Sequence, residues 1–174
     1  MAQIKRSDEA AEHYQKGVNL TNIDRNHKKA IDEFSEVLKL LPNDNDTFEH
    51  RSEEIAKDEI YYWRGKCYEL TDQPEKALDD YSKAISINPK NDGHYSSRAG
   101  IYLALGETEK AKADFEKAVG MNQKDAAKYY CQFGMALEES TGNKKEAAVY
   151  LKKSVELGDW AGGMAKGFLD KWGM

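Results

Sequence analysis

The sequence predicts an all-α fold built from repeated pairs of antiparallel helices, and two observations support this prediction. The first is internal repetition, because residue types between Asp58 and Asn122 recur at an offset of 34 residues. The second is composition, since three prolines and many Ala, Leu, Glu and Lys residues favour helix. The matched positions are Tyr61 and Tyr95, Gly65 and Ala99, Tyr68 and Tyr102, Ala77 and Ala111, Tyr81 and Phe115, and Ala84 and Ala118. A repeat of this length, with small residues where two helices must approach closely, is typical of stacked helix pairs.

The repeated motif also resembles a known family. The run Tyr62-Trp63-Arg64-Gly65, followed by Tyr68, Ala77, Tyr81, Ala84 and Pro89, is similar to the tetratricopeptide repeat. This resemblance implies a right-handed α-solenoid of about four helix pairs, plus a C-terminal capping helix. It also implies a concave surface that holds other proteins, usually as extended peptides.

Composition and charge exclude several other classes. The chain has 174 residues, of which 40% are apolar and 33% charged, which suits one domain with a core and is too polar for a membrane protein. The first six residues contain no apolar run, so we expect no secretory signal and a cytoplasmic location. Seven acidic and two basic residues lie between Asn43 and Glu59, and the rest of the chain is balanced. No basic stripe favours nucleic-acid binding. We expect Cys67 and Cys131 to be core residues without a disulfide.

The repeat pattern divides the chain, which we expect to be a single domain of residues 1–174. Its parts are repeat one (7–42), an acidic insertion or helix extension (43–57), repeat two (58–91), repeat three (92–123), repeat four (125–157) and a capping helix (159–174). In repeat one we expect helices over Ser7–Asn22 and Lys28–Leu40, with Ser7 as the first N-cap.

The insertion between repeats one and two has two possible structures. It could be a solvated loop, or the first helix of repeat two could begin early, near Thr47, and run to about Thr71. We favour the long helix, because Glu53, Glu54 and Lys57 are good helix formers and no Gly or Pro interrupts the segment. In that case the acidic segment would project beyond the stack and could steer a basic partner.

The C-terminal segment is predicted to form an amphipathic helix. Trp160, Met164, Phe168 and Trp172 recur every four residues, and Asp159 can cap the helix. Its three glycines weaken it, so it needs a surface to dock on, and the last repeat needs a cover for its apolar face. An alternative is that this helix and the last repeat form a dimer interface.

The first helix of each repeat is expected to line the concave face. Counting from the matched small residues, the predicted groove for a protein or peptide partner consists of Tyr14, Val18, Tyr62, Lys66, Glu69, Ser96, Leu103, Lys128, Cys131, Met135 and Glu138, with Gly100 at an equivalent place. The alternative is that these residues simply cover the inside of the stack. Two inward tyrosines favour a genuine groove, because large apolar groups are costly to leave without a partner.

One specific form of peptide binding is not expected. Tyr95-Ser96-Ser97-Arg98-Ala99 resembles a stretch of the co-chaperone members that clamp the C-terminal carboxylate of heat-shock proteins. Those members use three Lys or Arg and two Asn side chains. The corresponding residues here, counted from repeat two, are Tyr62, Lys66, Ser97, Lys128 and Gln132, so only Lys128 matches.

The sequence gives no support for catalysis, a metal site or a cofactor. Its four histidines are scattered without metal-ligand spacing, and no nucleophile lies at a fixed spacing from a base. Arg64 and Arg98 are interpreted as structural residues whose heads reach solvent or the acids of the next repeat. The predicted function is therefore a non-catalytic interaction module, with a self-associating structural protein as the alternative.

Overall fold

The computed structural model describes residues 2–158 and 160–174, with side chains from Arg6 onward. Within these ranges the chain forms nine α-helices and one two-stranded hairpin. They are α1 (Ala2–Asn22), α2 (His27–Leu40), β1 (Thr47–His50), β2 (Glu53–Ala56), α3 (Lys57–Leu70), α4 (Pro74–Ile87), α5 (Asp92–Ala104), α6 (Thr108–Met121), α7 (Ala126–Thr141), α8 (Lys144–Leu157) and α9 (Trp160–Trp172), with a 3₁₀ turn at Gln123–Asp125. The predicted all-α fold of four helix pairs and a final helix is confirmed, apart from the hairpin.

The chain divides into two compact units, residues 1–94 and 95–174, and the single domain stays a prediction. The first unit contains α1 to α4 and the hairpin, and the second contains α6 to α9. In both units consecutive helices pack as pairs, and a glycine permits the close approach. A Cβ added at Gly65 would lie 3.0 Å from the Tyr81 ring, so this ring fills the space over Gly65 inside its own pair.

The insertion after repeat one is neither a helix extension nor an irregular loop. β1 and β2 pair in antiparallel register, with Phe48 opposite Ile55, and both side chains are buried in the core of the first unit. A two-residue turn joins them, and Arg51 and Ser52 both have positive φ, 52° and 67°. The helix predicted from Thr47 to Thr71 is therefore wrong, and α3 begins at Lys57. Burial of apolar residues at alternate positions outweighs the helix propensity of Glu53 and Glu54.

Two helix ends also differ from the prediction. α1 begins at Ala2, so Ser7 lies inside the helix and is not its N-cap. α2 begins at His27, where the Asn26 side chain accepts a hydrogen bond from the Lys29 backbone N–H. The predicted cap of the last helix, Asp159, lies outside the described residues.

The final helix docks on repeat four mainly through residues outside the predicted stripe, with Phe168 and Trp172 packed against the same cluster. Ala161, Gly162, Ala165 and Leu169 of α9 are buried with residues of α7 and α8. Trp160 is 66% exposed and Met164 is 45% exposed, so these two members of the predicted apolar stripe do not dock. The predicted capping helix is confirmed, with its contact face rotated from the one expected.

An ion pair joins the two helices of repeat two, and an equivalent pair joins those of repeat three. Arg64 donates to both carboxylate oxygens of Asp80 at 2.8 Å, and Arg98 donates to Asp114 at 2.6 and 2.9 Å. Each arginine thus pairs with an acid of its own repeat, which is neither of the predicted alternatives, solvent or an acid of the next repeat. The corresponding residues of repeat four are Phe133 and Tyr150, whose ring centroids lie 4.8 Å apart.

Candidate partner-binding surface

The predicted groove residues of the first unit divide into one buried residue and four accessible ones. Tyr14 is 7% exposed and belongs to the core. Val18, Tyr62 and Lys66 are half-buried, and Glu69 is exposed, although it also accepts a hydrogen bond from the Tyr81 hydroxyl at 2.8 Å. These four side chains are accessible to a partner, whereas Tyr14 offers only the small part of its surface that borders a cleft beside the hairpin.

The hairpin is the reason that Tyr14 is buried. The Tyr14 ring packs against Phe48 and His50 of β1, with centroid distances of 5.5 and 5.3 Å. Its hydroxyl donates a hydrogen bond of 2.5 Å to the carboxylate of Glu59. Burial, together with this hydrogen bond, raises the pKa of Tyr14 above its ordinary value. The inserted hairpin thus covers most of the ring that was predicted to line an apolar pocket.

What remains beside Tyr14 is a smaller space, which we name the α1–hairpin cleft. It has a volume of about 310 Å³ and is lined by Tyr14, Gln15, Val18, His50, Arg51 and Glu53. Two of the predicted groove residues are thus brought together here. The three hairpin residues were missed, because they were assigned to a projecting acidic helix. The alternation Phe48-Glu49-His50, typical of a half-buried strand, was a weak signal that could have found them.

Tyr62 lies beside a buried polar cluster at the other end of the first unit. Its ring is 5.4 Å from that of His94, whose Nε2 is 3.0 Å from the carboxylate of Asp58. Asn88 donates a second hydrogen bond of 3.0 Å to the same oxygen. Burial acts to raise the pKa of Asp58, but these two contacts outweigh it and hold the pKa below its ordinary value. The cluster holds the first turn of α3 in place. Three of the predicted groove residues, Tyr62, Lys66 and Glu69, follow in the same helix.

The groove residues of the second unit also divide by accessibility. Leu103 and Cys131 are buried, so they offer little surface to a partner, and their predicted contact with one stays a prediction. Cys131 Sγ lies 3.8 Å from Met135 Sδ, and Met135 packs against the cluster that α9 covers. Ser96, Lys128 and Glu138 are half-buried, and the Lys128 ammonium lies 5.6 Å from the centre of the Tyr129 ring. Lys128 and Glu138 are the charged members that a partner could reach.

Other kinds of site find no support in the part of the chain that the structure describes. Within it, no three His, Cys, Asp or Glu side chains converge as metal ligands would. None of its helices combines the length and the apolar character that a membrane span requires. Cys67 and Cys131 are both buried free thiols, as expected for core residues.

Sequence comparison assigns the family. Residues 59–91 match one sequence profile of the Tetratricopeptide repeat, and residues 95–125 and 127–157 match another. Since these matches cover more than half of the chain, the protein belongs to the tetratricopeptide repeat family. The repeat fold of this family is typically a non-catalytic interaction scaffold, which supports the class of protein-interaction modules. No curated protein matches the chain.

Solved structures share the fold. MamA from Desulfovibrio magneticus RS-1 is 24% identical, with a TM-score of 0.65 over 83% of this chain and 73% of that one. YrrB, described as a TPR protein with an unusual peptide-binding site, is 17% identical, with a TM-score of 0.67 over 91% and 74%. The first TPR of Spaghetti (RPAP3), bound to the HSP90 peptide SRMEEVD, is 18% identical, with a TM-score of 0.59 over 84% and 95%. At these identities the similarity establishes the fold alone.

Proposed function

We propose that this protein is a non-catalytic binding module or scaffold that holds a peptide or protein segment against the first helices of its repeats. The accessible predicted residues support this proposal: Val18, Tyr62, Lys66 and Glu69 in one unit, and Ser96, Lys128, Met135 and Glu138 in the other. They combine apolar surface with both signs of charge, as recognition of an extended peptide requires. Two structural neighbours are described with peptides or a peptide-binding site, which is consistent with this function. A cytoplasmic location remains a prediction.

The C-terminal carboxylate of a heat-shock protein is not the proposed ligand. Holding one carboxylate in a clamp requires several cationic and amide donors around it. Of the five corresponding positions counted from repeat two, only Lys128 has the required residue type. The proposed partner is therefore a protein or peptide segment that binds without such a clamp.

Charge reversal on the first helices tests the proposal. Lys66→Glu and Lys128→Glu should each remove proteins that the unaltered chain captures from cell extract, as identified by mass spectrometry. Lys83→Glu is the matched control, because Lys83 is exposed on α4, the second helix of repeat two. If all three variants captured the same proteins as the unaltered chain, binding at the first helices would be refuted.

Self-association is a second candidate function, and the outer face of α9 favours it. Trp160 and Met164 leave a large apolar surface exposed there, at 66% and 45%. If this face joins two copies, light scattering should show a mass that rises with concentration, and Trp160→Lys should abolish the rise. A strict monomer at every concentration would exclude this function.

A further inference from the structure

We propose that the α1–hairpin cleft binds the side chain of an arginine presented by a partner's peptide. This inference rests on the proposed binding function and specifies the chemistry of one part of it. The cleft lies entirely within the first unit, between α1 and the tip of the hairpin. Its volume of about 310 Å³ is sufficient for one long side chain.

The floor of the cleft is apolar and rigid. The Tyr14 ring is held by aromatic contacts with Phe34 and Phe48, at 6.3 and 5.5 Å, and by its hydrogen bond to Glu59. Val18 lies one turn further along α1 and is half-buried. Long basic side chains pack their methylene stems on such surfaces while the charged head reaches polar groups. A floor that is fixed before binding also lowers the entropic cost of association.

Gln15 forms part of the wall of the cleft beside this floor. Gln15 Nε2 donates to Asn19 Oδ1 at 2.8 Å, whereas Gln15 Oε1 is buried and has no hydrogen-bond partner in the described structure. This oxygen is closed to solvent, so the acceptor for the head of the ligand lies on the hairpin.

Glu53 supplies the matching charge. The hairpin register places His50 and Glu53 on the same face as Phe48 and Ile55, which is the face directed toward α1. Glu53 has no ion-pair partner among the described residues. Arg51 also lines the cleft, but the segment Asn43–Glu59 has seven acids against two bases, so the surrounding field favours a cation.

An arginine satisfies these groups better than a lysine does. Its planar guanidinium has five N–H donors in a fixed geometry, so one head can donate to both oxygens of a carboxylate at once. A lysine ammonium is a compact and strongly hydrated charge that gains less from a fixed pair of acceptors. The two acceptors here are the oxygens of the Glu53 carboxylate.

Nuclear magnetic resonance titration of the ¹⁵N-labelled full chain tests the inference without a known partner. The probe is N-acetyl-arginine methylamide, and its control is the citrulline analogue, which has the same shape and no charge. The arginine probe should shift the Gln15 side-chain amide and the backbone amides of Val18 and Arg51. The citrulline probe should bind at least about fivefold more weakly, because a charge-assisted hydrogen bond becomes neutral.

Two matched variants separate the cleft from the general acidic field. Glu53→Gln should weaken binding of the arginine probe at least about fivefold. Glu49→Gln removes the same charge from the other face of the hairpin, outside the cleft, and should weaken binding less than about twofold. Equal effects of the two variants would mean that only long-range attraction acts, and the inference would be wrong.

Two further measurements on the unaltered protein test the inference. Equal binding of the arginine and citrulline probes would overturn it, as would the absence of shifts at Gln15 up to about 20 mM probe. Both of these results are independent of how a variant folds. They are also independent of partner capture, so the cleft and the proposed binding function can fail separately.

Discussion

Removing one member of the Arg64–Asp80 pair should destabilise the protein far more than replacing the whole pair. The Asp80 side chain is 6% exposed and that of Arg64 is 19% exposed, so Asp80→Ala would leave a largely buried guanidinium without its two 2.8 Å hydrogen bonds. Loss of one partner from a buried pair typically costs about 3–5 kcal/mol. We expect a loss in this range from urea unfolding monitored by circular dichroism.

The pair itself should contribute much less than this value. Burial raises the pKa of Asp80 in spite of the opposing effect of Arg64, so the ionised carboxylate is costly where it lies. The double variant Arg64→Phe with Asp80→Tyr copies the aromatic pair of repeat four. It should unfold within about 1 kcal/mol of the unaltered protein, because apolar replacements of buried pairs are often neutral.

A control variant and a threshold in the free energy of unfolding decide this prediction. Glu36→Ala removes an exposed pair with Lys39 and should leave the urea midpoint unchanged. The reasoning would be wrong if Asp80→Ala cost less than about 1 kcal/mol, as a surface pair would. It would also be wrong if the double variant were as unstable as the single one.

Three further predictions concern the hairpin, the last helix and the response to pH. Ser52→Gly should raise the free energy of unfolding by about 0.5–1 kcal/mol, and the thermal midpoint with it, because residue 52 has φ of 67°. Gly162→Ala should lower the urea midpoint, since its Cβ would lie 2.8 Å from a backbone oxygen of α8. Gly163→Ala places its Cβ in open space, so it should raise the free energy of unfolding by about 0.5–1 kcal/mol. The lowered pKa of Asp58 stabilises the fold above its ordinary pKa of about 4, and this contribution is lost as the pH falls. Asp58→Asn should therefore show a smaller loss of urea midpoint between pH 7 and 3.

Each of these predictions has a contrary result. A lower melting temperature for Ser52→Gly would mean that the positive φ of residue 52 does not destabilise the turn. Equal urea midpoints for Gly162→Ala and Gly163→Ala would contradict the close contact between α8 and α9. An unchanged acid response in Asp58→Asn would mean that other carboxylates dominate acid unfolding.

The helix pairs could be predicted because their constraints are local and repeated. Gly65 and Ala77 mark the closest approach of two helices, and the same types return 34 residues later as Ala99 and Ala111. Such a pattern can be read without knowing any long-range contact. The family resemblance and the pattern therefore led to the same fold.

The candidate site was harder to predict because it depends on contacts between distant segments. Tyr14 lies at an inward position, but a hairpin more than thirty residues later buries it. The hairpin turn contains Arg51 and Ser52 rather than the Asn and Gly that favour positive φ, so the usual turn signal was absent. Glu53 and Glu54 have helix propensity, which favoured the wrong element.

The ion pairs of repeats two and three have a consequence for the evolution of the array. Each 34-residue segment contains both the arginine and the aspartate of its own pair, so the pair is complete within one repeat. Duplication or deletion of such a segment by recombination would leave no orphaned charge behind. Genes for longer or shorter versions of this chain could therefore arise in a single event without the electrostatic penalty that shared pairs would impose.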